Sequence, residues 1–391
     1  MELRKILTAA SAVTAVLSFL AFPGAGAEEA GAQGSVGTPA LLEMSSADVV
    51  RQMGLGWNLG DTMESCGDSI QGPDIGNFET AWGNPRTTKE MIDAIRAAGF
   101  RSIRIPVAWS NLMGDHYTID PGLMKRVREI VDWVQADGMI AVVNIHWDGG
   151  WWSRFPAEPD KCMAKYERIW TQISANFKDH PGTLIFESLN EEGCFNDVWN
   201  RWGDKDPEHK KKAFDILNGI NQAFVDIVRK SGGLNAQRHL LIAGYATDID
   251  LTVDPDFLMP KDPAGHCILS VHYYTPFTFA GLEHDESWGK MRSTWGTDAD
   301  KAELDSKFAL LKPAFLDKGI PVIVGEYGAT LKNKDLGSVR KYILAVAQKA
   351  YSMGMCPMLW DMGSHFDRRT LRFRDAELLK GFRKIEAGKR E

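Results

Sequence analysis

The chain lacks the usual marks of a metalloprotein. Its five cysteines, Cys66, Cys162, Cys194, Cys267 and Cys356, include no CxxC pair, so a zinc site is not supported. No H-x-x-x-H pair occurs, and His266 and His272 would stand roughly 20 Å apart along a strand, too far for one ion. No metal or other cofactor is therefore expected. Charge of one sign never accumulates either: 45 basic and 52 acidic residues leave a net −7 without a basic block. A nucleic-acid partner would call for a basic face, and none is expected. The chain also shows no repeat and no low-complexity segment after its leader, which excludes solenoids and propellers.

Tryptophan and phenylalanine are plentiful by contrast, 13 and 18 residues. Aromatic faces stack on apolar CH faces, so a sugar ligand is one explanation and core packing is the other.

The N-terminus reads as a targeting segment. Arg4 and Lys5 precede an uncharged run that ends near Ala25-Gly26-Ala27, the pattern of a signal peptide cleaved after Ala27. The run is short for a membrane span, so the chain is expected to be secreted, without stable membrane association, and as a monomer. Residues 28–44 are rich in small residues and read as a flexible leader. Export permits disulfides. Cys162 and Cys194, in neighbouring loops, are the best-placed pair, with buried free thiols as the alternative.

From residue 45 to 391 short apolar runs alternate with helical patterns. Strands are expected at 55–59, 102–107, 140–146, 183–189, 239–245, 267–274, 321–327 and 356–360. Helices are expected at 88–99 and 121–138, each closed by glycine, and further patterns precede the fifth and eighth strands. Eight such units indicate a single α/β domain, a (β/α)8 TIM barrel. A doubly wound sheet would want a phosphate loop after its first strand. The stretch "GLGWNLGD" comes within one residue of that glycine spacing but is filled by Trp57 and Leu59.

Barrel enzymes carry their chemistry where strands end. Those ends hold Asn58, Arg104, His146 with Trp147, Asn190 with Glu191, His272 with Tyr274, Glu326, and Trp360. The fourth end, "FESLNEEG", crowds Glu187, Glu191 and Glu192 into six positions. Like charges so close need partners or a use. Glu191 and Glu326 lie far apart in sequence, yet a barrel brings both to one rim. Two facing carboxyl groups are what glycosidic cleavage needs.

The motifs "GWNLGDT", "ETAWGNPRTTKEMI", "GFRSIRIPVAW", "LNE", "HYY" and "GEYG", in that order, resemble the family 5 glycoside hydrolases, the cellulase family, over nearly the whole mature chain. The resemblance implies Glu191 as acid/base and Glu326 as nucleophile. It also implies Asn58, Arg104, His146, Asn190, His272, Tyr274 and Trp360 as residues that orient the sugar and tune the nucleophile. For Arg104 the alternative is a barrel-core ion pair with Glu187, and for His146 it is a buried, hydrogen-bonding histidine. The implied activity is a retaining endo-β-1,4-glucanase acting on a β-glucan polysaccharide. A xyloglucanase or β-mannanase is the nearest alternative, and a non-catalytic sugar-binding barrel is the alternative from another class. Two positions depart from the family: Glu192 stands where proline is usual, and Asp61 where asparagine is usual. Glu192 would raise the proton affinity of Glu191 if ionised nearby, or pair elsewhere.

Overall fold

Alternation with period two explains both the barrel and its contents. The computed structural model describes residues 38–191, 195 and 197–388. The expected export segment, Glu192 and Cys194 lie outside the described residues. Strands β1 (Gly56–Asn58), β2 (Ser102–Ile105), β3 (Ile140–Asn144), β4 (Leu184–Glu187), β5 (Leu240–Asp248), β6 (Cys267–Tyr273), β7 (Val322–Tyr327) and β8 (Cys356–Leu359) close in sequence order. Every barrel pairing is parallel. The TIM barrel is thus the observed fold, and all eight strands lie within two or three residues of their expected bounds.

One side of each strand, such as Ile103, Val143, Phe186 and Leu269, packs outward against the helices in the main core. The other side fills the barrel in layers. At the bottom Ile140, Ile185, Ile268 and Ile323 are apolar. Two residues further along come the polar Ser270 and the charged Arg104 and Glu187, all buried.

Helices follow the strands as the alternation requires. Lys89–Ala98 ends at Gly99 in the left-handed region, φ 111°, which glycine adopts without a Cβ penalty. Pro121–Ala136 starts with proline, whose missing N–H costs nothing at a first helical position. Between β5 and β6 the covering helix is a single turn, Ile249–Thr252.

The leader ends earlier than expected. Thr38–Glu43 forms helix α1 and Ser46–Gln52 forms α2. Leu41, Val49, Val50 and Met53 pack against the apolar bottom layer and plug the barrel. His239 bonds both helices, Nδ1 to Ser46 Oγ and Nε2 to the Leu41 carbonyl, at 2.9 Å each. Small residues made the segment read as flexible. A few apolar side chains suffice to dock it.

Of the expected Cys162–Cys194 pair, Cys194 lies outside the described residues, and Cys162 is a free, buried thiol whose Sγ points at the Trp151 carbonyl. Cys66, Cys267 and Cys356 are free as well.

Candidate active site

Arg104 organises the site from the middle of the barrel. Its guanidinium is fully buried and donates in four directions. Nε bonds Glu187 Oε2 at 2.6 Å, Nη1 bonds Glu326 Oε1 at 2.7 Å and Asn58 Oδ1 at 3.0 Å, and Nη2 bonds Asn190 Oδ1 at 2.8 Å. Burial works against the charge, but Glu187 and Glu326 more than offset it and hold Arg104 ionised. Both partners considered from sequence are therefore real. Glu187 is a core support, completed by Ser270 Oγ at 3.0 Å.

Glu326 reaches the interior through an irregular register. Val271 pairs with Val324 but His272 pairs with Glu326, so the ladder slips between them. A Cβ on Gly325 would stand 2.7 Å from Ser270 Oγ and 3.1 Å from His272 Nε2. Glycine there lets Glu326 turn inward beside its neighbours. Asn58 Nδ2 steadies the bend by donating to the Gly325 carbonyl at 2.9 Å.

Tyr274 Oη donates to Glu326 Oε2 at 3.0 Å. Burial and Glu326 keep that phenol protonated, well above its ordinary range. His272 Nδ1 lies 2.9 Å from Glu191 Oε1 and 3.6 Å from Glu326 Oε2. Burial depresses His272 to about 4, so it is neutral near pH 7. Ligand atoms of Glu191, His272 and Glu326 all lie within 4.8 Å of one another. That spacing would also suit a divalent cation, but Arg104 already supplies positive charge to Glu326.

The two carboxyl groups differ in environment. Glu191 follows β4, and its side chain keeps 49% of its surface open to the cleft. The surrounding walls nevertheless raise it to about 7, with Arg104 opposing. Burial raises Glu326 too, and the charged Arg104 pulls it back. Arg104 and Tyr274 both donate to Glu326, so of the two Glu191 is the better proton holder.

Trp360 follows β8 and stacks parallel to His146, ring centroids 5.5 Å apart and planes within 5°. His146 is buried and kept neutral by that burial, with Asn144 Nδ2 3.3 Å from its Nδ1. All nine site residues expected from sequence thus meet at one rim.

Others were not foreseen. Ser270 and Asn144 are inward residues at alternating positions, a signal the strand pattern carried. Asp361 is a hub: it accepts from Trp57 Nε1 and from the backbone of Gly363, His365 and Phe366, fixing the turn behind Trp360. Asp61 sits at positive φ, 55°. Burial raises its carboxyl to about 6.

A family model described as cellulase (glycosyl hydrolase family 5) matches residues 66–366. The chain belongs to glycosyl hydrolase family 5. Among similar family members, endoglucanase B of Clostridium cellulovorans is 34% identical over 325 residues, which is 83% of this chain and 69% of that protein. A xyloglucan-specific endo-β-1,4-glucanase of Bacteroides ovatus is 33% identical over 356 residues, covering 84% of this chain and 68% of its own length. A mutant family 5 lichenase from Caldicellulosiruptor sp. F32, solved with cellotetraose, superposes with a TM-score of 0.82 at 32% identity. That likeness covers 88% of this chain and 96% of the other.

Proposed function

We propose that this family 5 protein is a retaining endo-β-1,4-glucanase, with Glu191 as acid/base and Glu326 as nucleophile. One observation carries the reading: carboxylate oxygens of the two residues lie within 4.8 Å. Retaining glycosidases hold them about 5–5.5 Å apart, whereas inverting ones leave room for water at about 6.5–9.5 Å.

The contacts support a double displacement. Arg104 anchors Oε1 of Glu326, so Oε2, on the Tyr274 and His272 side, attacks the anomeric carbon. Glu191 gives its proton to the departing glycosidic oxygen. An incoming sugar displaces cleft water and strengthens its hold on that proton until transfer. Glu191, now ionised, then draws a proton from water, which cleaves the glycosyl–Glu326 ester and regenerates both groups. Asn190 has spent its Oδ1 on Arg104, so its Nδ2 is the group that donates to the sugar 2-hydroxyl. Trp360, backed by His146, supplies an apolar floor for the distorted ring.

Cellulose, lichenan and xyloglucan are the substrates suggested by the relatives. Secretion is proposed on the N-terminal pattern alone; no helix of the described residues is long and apolar enough to cross a membrane. The stereochemistry of the first product tests the mechanism. Proton NMR of a fresh digest should show the β-anomer forming before mutarotation, and initial α-anomer would overturn the nucleophile assignment.

A further inference from the structure

The hydrogen bond from Tyr274 to Glu326 joins the ends of two neighbouring strands. The phenol follows β6 and the carboxylate lies on β7. The segments that leave those strands, residues 275–297 and 328–335, both start at the mouth of the barrel. One ammonium group ties them together.

Lys334 reaches from the second segment into the first. Its Nζ donates to the carbonyls of Leu282 at 2.5 Å, Arg292 at 2.8 Å and Thr278 at 3.4 Å. An ammonium has three hydrogens, so each has a backbone acceptor. The same nitrogen stands 5.4 Å from the centroid of the buried Phe279 ring, near enough for a cation–π attraction. Burial pulls Lys334 below the ordinary lysine range, and Glu283 opposes that shift. Because its partners are carbonyls, what Lys334 holds is the course of the chain. Residues 278, 282 and 292 converge on one nitrogen and close the loop on itself.

Further bonds run between the same two segments. Thr330 N–H donates to the Ala280 carbonyl at 2.9 Å, and Asp335 N–H to the Ser293 carbonyl at 2.8 Å. Asn333 Nδ2 donates to the Glu283 carbonyl at 2.8 Å. Thr278 lies four residues beyond Tyr274, and Lys334 eight beyond Glu326. The clamp therefore closes just behind both partners of the catalytic hydrogen bond.

We propose that Lys334 is a positioning residue, an internal cation that fixes the segment after β6 and through it holds the Tyr274 phenol on Glu326. This rests on the endoglucanase reading given above. A long connecting segment without an anchor opens locally at low cost. A displacement of about 1 Å at a reacting group can cost on the order of 100-fold in rate.

The test is chemical rescue. Lys334→Ala removes the cation and leaves room for a small amine. Its kcat/KM on lichenan should fall about 10-fold, and added methylammonium should restore most of it, while sodium chloride at matched ionic strength restores none. Lys334→Met fills the space with an apolar chain, so it should lose as much and regain nothing. Because the clamp acts through Tyr274, Lys334→Ala should deepen the loss in Tyr274→Phe by about twofold at most. Additive losses would overturn the proposal. So would a loss that methylammonium leaves unrepaired, or a fall in melting temperature with kcat/KM unchanged. Trypsin gives a readout that needs no substrate: cleavage after Arg292 should quicken in Lys334→Ala and slow again with methylammonium, and an unchanged rate would sink the clamp. Wild-type protein inert on every β-glucan would tell against the endoglucanase reading instead, while the trypsin comparison would still decide the clamp.

Discussion

At the scale of single residues, Glu191 and Glu326 are alike in chemistry and separated only by their neighbours. Glu326 receives Arg104 and Tyr274, while Glu191 faces the open cleft with His272 beside it. The consequence is a leaving-group signature. Glu191→Ala should lower kcat on cellulose or lichenan by about 10²–10⁴-fold, yet spare aryl glycosides whose phenolate departs unaided. Glu326→Gln should abolish turnover of both. Kinetics on the two substrate types check this, and an equal loss in Glu191→Ala would sink the acid role. The three crowded glutamates of "FESLNEEG" now separate: Glu187 holds Arg104, Glu191 faces Glu326, and Glu192 lies outside the described residues.

At the scale of elements, most of the site was legible because strands impose a strict period. Once the ends of eight apolar runs were marked, every polar group there had to face the same opening. Glu326 was the harder case: strict alternation assigns Gly325 and Glu326 to opposite faces, and only the register slip brings both inward. Asp361 carried no signal, since its partners are backbone groups contributed by the turn it closes. The start of the fold was misjudged because α1 is short and poor in large side chains. Its Leu41 is nonetheless only 2% exposed. Leu41→Ala should cost about 2–5 kcal/mol while leaving kcat/KM intact, as the plug sits at the end opposite the cleft. Urea unfolding followed by tryptophan fluorescence would measure the cost. A change in activity without one in stability would contradict the placement.

At the scale of the whole molecule, buried acids couple function and stability to pH. Activity needs Glu191 protonated and Glu326 ionised. The profile of kcat/KM should therefore be bell-shaped, with an alkaline limb near 7 set by Glu191. An alkaline limb more than about one unit above that would contradict the assignment. Stability should respond over a related range. Burial raises Glu64 from 4.5 to about 8, so the folded state holds a proton that the unfolded state releases at lower pH. That contribution is fully present below the unfolded value and is lost as pH rises through about 8. Melting temperature should accordingly fall between about pH 5 and pH 8, and Glu64→Gln should flatten that fall. Differential scanning calorimetry across the range checks both.

The order of strands around the ring divides the working parts between two half-barrels. Asn58, Arg104, His146, Asn190 and Glu191 come from the β1–β4 half, and His272, Tyr274, Glu326 and Trp360 come from the β5–β8 half. A chain severed between β4 and β5 would carry the proton donor on one fragment and the attacking carboxylate on the other. Hydrolysis then becomes a reporter of reunion, since sugar release would require Arg104 of one fragment to find Glu326 of the other.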